Sequence, residues 1–310
     1  MYICKDGSQH ACIMVIDKFI NVNDKWLGGG LAPVIKIMSM IESSTDEEIT
    51  IDCGNKCFLT PVSILSLIVY LSKCGRKVTF INRDSYLETL GFYSGGLRPD
   101  RIRSSEFKAI MEGYANKTFI PIINFSANAE SDEKETVSSV IENIIIRQLN
   151  IQPNVATGFK YMIGETIDNI TQHSETDRGF IAAQAYKNKG YLDMCIADRG
   201  ISLLGSYKKV PGDEIASDDL EAIKAANSRV SSKNLPDAEN RGYGIYTTKK
   251  MLIDGLGGQY MIISGSALSV QGHGFNNYYS MPGGLRWDGT IIALRIPYQA
   301  PSFNYINYIE

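Results

Sequence analysis

The amino-acid sequence predicts an α/β protein built from two successive units, residues 1–126 and 137–300. In the first unit, short apolar strand-like runs alternate with helix-like segments, which favours a parallel sheet with helices packed on it. In the second unit, a long amphipathic helix over 159–174 precedes strand-like runs, so helices and strands occur together there as well.

The elements of the first unit follow one another at short intervals. Pro33 is typical of a first helical turn, and Gly75 is a natural end for the strongly apolar helix that opens at Pro61. Strands are predicted over 11–16, 48–53, 77–82 and 119–124, and helices over 33–41, 61–72 and 85–90. The charged stretch 127–135 is the predicted boundary between the units, and an amphipathic helix over 136–149 follows it.

The helix over 159–174 carries two different faces. Its apolar stripe recurs at spacings of four, four and three, and consists of Phe159, Ile163, Ile167 and Ile170. Glu165 and Asn169 are four residues apart and share another face, with His173 one turn further on. An amide oxygen is a hard ligand for Mg²⁺, and a carboxylate can accept a proton from a water or hydroxyl.

Glycine motifs follow this helix in a fixed order. An apolar strand over 191–198 ends abruptly in Asp198-Arg199-Gly200, and a second motif, Arg241-Gly242-Tyr243-Gly244-Ile245, opens a helix-like stretch. Further along, Gly257-Gly258 precedes a strand, and Gly289-Thr290 precedes the last strand.

These pieces together resemble the GHKL ATPases, the class that includes histidine kinases, anti-sigma serine kinases, gyrase B and the heat-shock 90 chaperones. The resemblance covers roughly 137–298 and implies a GHKL (Bergerat) α/β sandwich that binds ATP with Mg²⁺. It makes Glu165 the catalytic base, Asn169 the Mg²⁺ ligand and Asp198 the acceptor for the adenine amine. The sequence departs from the family's D-x-G-x-G pattern at Ser202, which replaces a glycine.

The same resemblance assigns further nucleotide contacts. Backbone groups near Gly200, Gly242, Gly244 and Ile245 would approach the nucleotide, and Thr290 would complete its pocket. His173 either assists Glu165 or phosphate binding, or serves packing alone. Lys249 and Lys250 are expected to face water. The long polar segment 203–240 is similar to the family's ATP lid and offers Lys233 as a phosphate contact.

The first unit resembles the STAS fold of anti-sigma-factor antagonists, by its pattern alone. In that family a phosphorylatable serine stands where a strand turns into a helix, and Thr60 and Ser63 occupy the corresponding stretch here. The favoured alternative is that Thr60 simply caps the helix that begins at Pro61.

The charge and the residue patterns of the sequence argue against several classes of function. A net charge of −3 argues against a nucleic-acid-binding surface. No run approaches the ~20 apolar residues of a membrane span, and no secretory signal is evident, so we expect a cytoplasmic protein that does not contact membranes. Cys4, His10 and Cys12 match no standard zinc spacing.

Three hypotheses follow from these residues. The first is a slow ATPase or ATP-gated regulatory switch; the second is an anti-sigma-type serine/threonine kinase that acts on a partner protein or on the Thr60 region; the third is an ATP-binding scaffold without turnover. A conventional histidine autokinase is disfavoured, because none of the three histidines lies in a two-helix dimerisation pattern. A regulatory protein is the expected partner, and a homodimer is an open alternative.

Overall fold

Two β-sheets and the helices between and beside them form the described part of the chain. The computed structural model describes residues 12–15, 27–54, 59–128, 131–210, 215–228, 244–300 and 302–308. The strands are β1 Cys12–Val15, β2 Glu48–Asp52, β3 Lys77–Ile81, β4 Ile123–Ser126, β5 Arg178–Tyr186, β6 Tyr191–Asp198, β7 Gln259–Gly265, β8 Ala267–Gly272, β9 Phe275–Ser280 and β10 Trp287–Pro297. The helices are α1 Leu31–Ser43, α2 Pro61–Ser72, α3 Ser85–Thr89, α4 Ser104–Glu112, α5 Ser131–Leu149, α6 Pro153–His173, α7 Ser202–Tyr207, α8 Asp219–Ala226 and α9 Gly244–Lys250, which continues as a π-helical turn over Met251–Gly255.

The smaller sheet is parallel and runs in the order β1-β2-β3. Its register places Ile49 beside Cys12 on one side and beside Val78 on the other. Parallel neighbours need crossover connections, and α1 and α2 supply them. The parallel sheet with packed helices that the sequence predicts for the first unit is therefore present.

The larger sheet has seven antiparallel strands in the order β4-β5-β6-β10-β7-β8-β9. The last strand in the sequence, β10, lies at its centre between β6 and β7. Its first strand, β4, comes from the segment that the sequence assigns to the first unit, and it pairs with β5. The chain thus passes from β3, the last strand of the smaller sheet, to β4, the first strand of the larger sheet, within the roughly 50 residues before α5.

The helix α2 joins the two halves of the molecule. All residues from Pro61 to Tyr70 are buried, as expected for a helix that is apolar on every side. It packs on α1 and also on β5, β6 and β10 of the larger sheet. One continuous core therefore contains Ile49 of the smaller sheet, α1, α2, and inward-facing residues of the larger sheet such as Phe180 and Ala293.

The opposite face of the larger sheet is covered by α5 and α6. Their apolar residues form a second core with strand residues such as Ile181 and Leu294. Because successive strand residues point to opposite faces, Phe180 and Ile181 belong to different cores. The predicted helix after the charged boundary begins five residues earlier than the sequence indicates, at Ser131.

The mixed α/β class predicted from the sequence is confirmed. Within the described residues, no helix combines the length and the apolar character that a membrane crossing requires.

Candidate functional site

The helix α6 positions Glu165 and Asn169. Its apolar stripe is buried as predicted, with Phe159 and Ile163 fully enclosed and Ile167 and Ile170 nearly so. Packing of this stripe fixes the rotation of the helix and leaves Glu165 and Asn169 half-buried beside the start of α9.

The start of α9 lies directly against these two side chains. A Cβ atom placed on Gly244 would overlap Oε2 of Glu165 and lie 3.3 Å from its Cδ and 3.4 Å from Nδ2 of Asn169. With the side chains in this arrangement, any residue with a Cβ atom at 244 would have to displace the Glu165 carboxylate. The polar face of α6 that carries Glu165 and Asn169 therefore meets Gly244 of the second glycine motif.

The loop that follows β6 packs on the C-terminal end of α6. The Ile201 amide donates to the carbonyl oxygen of Ser174 at 2.8 Å. A Cβ atom on Gly200 would overlap that same carbonyl. The first glycine motif is therefore fixed to the helix that carries Glu165 and Asn169.

Asp198 is the most buried ionisable group of this loop, with 1% of its surface exposed. Its Oδ1 accepts from the Gly200 amide at 2.7 Å and its Oδ2 from the Thr290 amide at 3.2 Å. Burial is the main cause that raises the pKa of Asp198 to about 7, and the two amide hydrogen bonds act against that shift. Asp198 therefore begins a turn that its own carboxylate closes through the Gly200 amide.

Two side chains not expected from the sequence contact Asp198 or the residues bonded to it. Trp287 donates from Nε1 to the backbone oxygen of Asp198 at 3.1 Å. Ser264 donates to the Gly289 oxygen at 2.9 Å and lies 3.1 Å from Oγ1 of Thr290. The only sequence signal for Ser264 is one hydroxyl at the end of an apolar strand, which does not distinguish it from an ordinary strand end.

Ser202 occupies the position where the sequence departs from the glycine pattern. It has φ +59°, in the left-handed region that glycine adopts without strain. The backbone therefore keeps a conformation suited to glycine even though the residue is serine. Its hydroxyl accepts from the Gly205 amide at 3.3 Å, so the serine also caps the first turn of α7.

The expectation of a long loop over 203–240 is wrong for its described part. Helices α7 and α8 lie within it and share a small apolar core that includes Tyr207 and Ala222. Asp219 anchors α8 to the larger sheet, since its carboxylate accepts from the Ser266 amide at 2.9 Å and pairs with Arg286 at 2.8 Å. Within 203–240, residues 211–214 and 229–240 lie outside the described residues.

Lys249 was expected to face water, but its side chain is half-buried. Its Nζ donates to the backbone oxygen of Asn227, at the end of α8, at 2.7 Å. Burial lowers the pKa of Lys249, because it penalises the charged ammonium. This lysine therefore ties α9 to α8, while the side chain of Lys250 remains half-buried.

Three predicted site residues lie wholly or partly outside the described part of the structure. Gly242 and Lys233 lie outside the described residues, and for His173 only the backbone, at the last position of α6, is described. Ile245 is half-buried in α9 and packs against both the α6 core and the small α7–α8 core. Cys4 and His10 also lie outside the described residues, and the described part contains no cluster of three or more metal-binding side chains.

Thr60 forms the helix cap that the sequence analysis favoured. Its Oγ1 accepts from the Ser63 amide at 3.3 Å, and Pro61 occupies the first turn of α2. Both hydroxyls are buried, and Ser63 donates to the Gly30 oxygen at 2.8 Å. A phosphoryl group on either residue would therefore have to displace the chain around Gly30.

The donor groups present fit an Mg-nucleotide. A protein site for Mg²⁺ commonly supplies one or two oxygen ligands while phosphates and waters supply the rest, and Asn169 offers one such oxygen. An ionised carboxylate has about four acceptor positions, of which Asp198 uses two. The remaining positions could accept an exocyclic amine after the groups that cover Asp198 move.

Comparison with known proteins does not assign the chain. No protein-family model matches it, and no curated protein sequence does.

Proposed function

We propose that this chain is a GHKL-type protein that binds Mg-ATP and hydrolyses it slowly as a regulatory switch. The observation that carries the proposal is the meeting of Glu165 and Asn169 with Gly244, while the Gly200 loop packs on the end of the same helix. Three motifs separated by up to about 80 residues thus converge on one place.

In the proposed site, Asp198 selects adenine. Its carboxylate accepts from the exocyclic amine of adenine, whereas guanine presents a carbonyl oxygen at that position and would be repelled. The amide of Thr290, whose side chain Ser264 contacts, already occupies one carboxylate oxygen, so the amine would use the positions that remain once the covering groups have moved. The first turn of α9 would offer backbone amides to the phosphates.

Asn169 would hold Mg²⁺ through its amide oxygen, and the ion would screen the phosphate charge during transfer. Glu165 stands one helical turn from Asn169 on the same face of α6. Its carboxylate accepts the proton of the attacking group, which is water in the ATPase. The attacking group is a side-chain hydroxyl of a partner in the alternative, a serine/threonine kinase of the anti-sigma type.

The contacts between the halves of the molecule support the switch. Lys73, just after α2, donates to the backbone oxygen of Arg199 at 2.9 Å, and Arg199 donates back to the Tyr70 oxygen at 2.8 Å. Arg199 is the neighbour of Asp198 in the chain. A structural change caused by binding or hydrolysis of the nucleotide would therefore be transmitted to α2 and the first unit. A regulatory protein partner that binds the first unit could recognise this change.

The deciding experiment uses ATP labelled at the γ-phosphate, with and without Mg²⁺. We expect label to appear slowly as free phosphate and only with Mg²⁺. Label that stays on a co-purified partner would support the kinase instead. The buried hydroxyls of Thr60 and Ser63 make self-labelling there unfavourable. Failure to bind ATP at all would refute the proposal.

A further inference from the structure

A cavity of about 230 Å³, lined mainly by polar and charged residues, lies beside the larger sheet. It is on the face opposite to α6 and the proposed nucleotide site. It is located where α2 ends, β5 begins and β6 ends. Six of its charged or amide-bearing lining residues are Lys73, Arg98, Asn124, Asp177, Arg178 and Arg199.

The cavity is separate from the proposed nucleotide site. Phe180 lines it and belongs to the core that contains α1 and α2. The neighbouring Ile181 belongs to the core under α6, the helix that carries Glu165 and Asn169. The sheet therefore stands between the two sites.

The cavity has an excess of positive charge. Four cationic side chains line it, and Asp177 is the single carboxylate among the lining residues. Asp100 lies behind them and pairs with Arg98 at 2.7 Å and with Arg178 at 3.1 Å. Asp288 pairs with Arg199 at 3.0 Å, which leaves one net positive charge for a ligand.

The guanidinium groups are held in place before any ligand arrives. Arg178 donates from Nε to Oδ1 of Asn124 at 2.6 Å, and its side chain is 15% exposed. Arg98 uses Nε and Nη2 on Asp100. Within the described residues, Nη1 of each arginine has no hydrogen-bond partner. These two donors are available to an incoming anion at little entropic cost.

We propose that this cavity binds the phosphate group of a small molecule. Guanidinium donors match the oxygens of a phosphate, and Lys73 adds a mobile ammonium that can contact the same group. The volume is small compared with typical ligand pockets of ~300–1,000 Å³, so a compact phosphate compound fits better than a stretch of polypeptide.

The bound phosphate would also influence the nucleotide site. Lys73 and Arg199 line the cavity and are hydrogen-bonded to each other, and Arg199 directly follows Asp198. This coupling rests on the proposed nucleotide function, whereas phosphate binding itself does not. Because coupling between two sites is reciprocal, ATP and phosphate should change each other's affinity by the same factor.

The test titrates inorganic phosphate into the full, nucleotide-free chain by calorimetry at constant ionic strength. The variant Arg98→Gln removes one partly exposed cation, so we expect phosphate affinity to fall roughly three- to tenfold. Arg101→Gln is the matched control, since Arg101 is exposed, close in sequence and absent from the cavity lining. It should bind phosphate like the wild type.

Two further variants make the result decisive. Lys73→Gln should weaken phosphate binding in the same way. If the Arg98→Gln protein does not fold, Lys73→Gln serves as the test variant in its place. Asn169→Ala should keep its phosphate affinity, because it alters only the proposed nucleotide site. Loss of phosphate binding in Asn169→Ala but not in the cavity variants would overturn the cavity assignment, as would a wild type that binds no phosphate.

A parallel titration with glycerol phosphate distinguishes the two sources of the same group. Tighter binding than inorganic phosphate identifies a phosphomonoester as the ligand, and weaker or equal binding identifies free phosphate. Either result supports the cavity if the affinity for that ligand is weakened in Arg98→Gln. If the wild type binds phosphate but not ATP, the nucleotide proposal fails and the cavity stands.

Discussion

Gly244 begins α9 directly against the carboxylate of Glu165 on α6. The approach is so close that a Cβ atom at 244 would overlap Oε2 of Glu165. The two residues are 79 positions apart in the chain, so their contact depends on the packing of α9 along α6. This contact brings the polar helix face and Gly244 of the second glycine motif together.

The variant Gly244→Ala tests this contact. The added methyl group meets the far end of the flexible Glu165 side chain, so the carboxylate can move away. The free energy of unfolding should therefore change by less than about 1 kcal/mol. The displaced carboxylate would no longer reach its reacting group. We therefore expect ATP turnover to fall at least about tenfold, measured as phosphate release beside a thermal unfolding curve.

Gly164→Ala is the matched control for that variant. Gly164 lies on the same helix as Glu165, and a Cβ atom there would meet nothing within 4 Å. Alanine is the better helix former by about 1 kcal/mol. The control should be more stable than the wild type and equally active; equal activity in Gly244→Ala as well would remove Gly244 from the site.

Asn169→Ala should weaken Mg-dependent ATP binding. Removal of the amide oxygen deletes the proposed protein ligand of Mg²⁺, so affinity should fall at least about tenfold, or about 1.4 kcal/mol. Calorimetry with ATP, with and without Mg²⁺, measures the change. Asp168→Ala is the control, because Asp168 is the exposed neighbour of Asn169 on another face of α6. Equal Mg-ATP affinity in the Asn169 and Asp168 variants would contradict the assignment.

Local pattern predicted most of the elements correctly, because each depends on residues close in sequence. The stripe of α6, the cap at Thr60 and the strand that ends at Asp198 are all of this kind. The burial of α2 against a second sheet was not predicted. Its uniformly apolar sequence indicates that every side is covered but does not indicate by what.

The parts that could not be predicted depend on long-range packing. The strand β4 joins the larger sheet because β5 lies beside it, which no periodicity in 119–126 reveals. In the segment 203–240, α8 is held by the contact of Asp219 with Arg286, which lies 67 residues further along the chain. A run of polar residues such as this segment resembles a loop until its distant partners are known.

Asp198→Asn should weaken ATP binding and reduce its preference over GTP. The variant replaces an acceptor with a group that can present a donor to the adenine amine. Loss of a hydrogen bond to a charged group is worth ~1.5–3 kcal/mol, which is at least about tenfold in affinity. Competition binding with ATP and GTP measures both effects. Equal binding of the two nucleotides by the wild type would remove the basis of the adenine assignment.

The raised pKa of Asp198 predicts a pH dependence of binding. With a pKa of about 7, the carboxylate is mostly protonated at pH 6 and mostly ionised at pH 8. The ionised form is the better acceptor, so ATP affinity should rise over that interval by up to about tenfold. In Asp198→Asn the same titration should be flatter. A wild-type profile as flat as that of the variant would show that Asp198 does not contact the base.

The raised pKa of Asp198 also predicts that the folding stability falls as the pH rises, whereas the affinity for ATP increases. The folded-state pKa lies above the unfolded value of 3.8, so the protonated group favours the fold. This contribution is complete below pH about 4 and is lost as the pH rises through about 7. Denaturant unfolding should therefore show wild type losing stability relative to Asp198→Asn between these values, by on the order of a few kcal/mol. A constant difference between the two proteins would contradict the buried, neutral carboxyl group.

Glu165→Gln separates catalysis from binding. The amide keeps the size and polarity of the side chain but cannot accept a proton in the reaction. General-base catalysis contributes about 10²- to 10⁴-fold, so turnover of γ-labelled ATP should fall by that order while Mg-ATP affinity stays within a few-fold. Single-turnover assays and calorimetry on the same preparation give the two quantities. Gly164→Ala, the adjacent change that leaves the carboxylate alone, should retain both. If Glu165→Gln turns over ATP as fast as wild type, Glu165 is not the base, and another group must accept the proton of the attacking water.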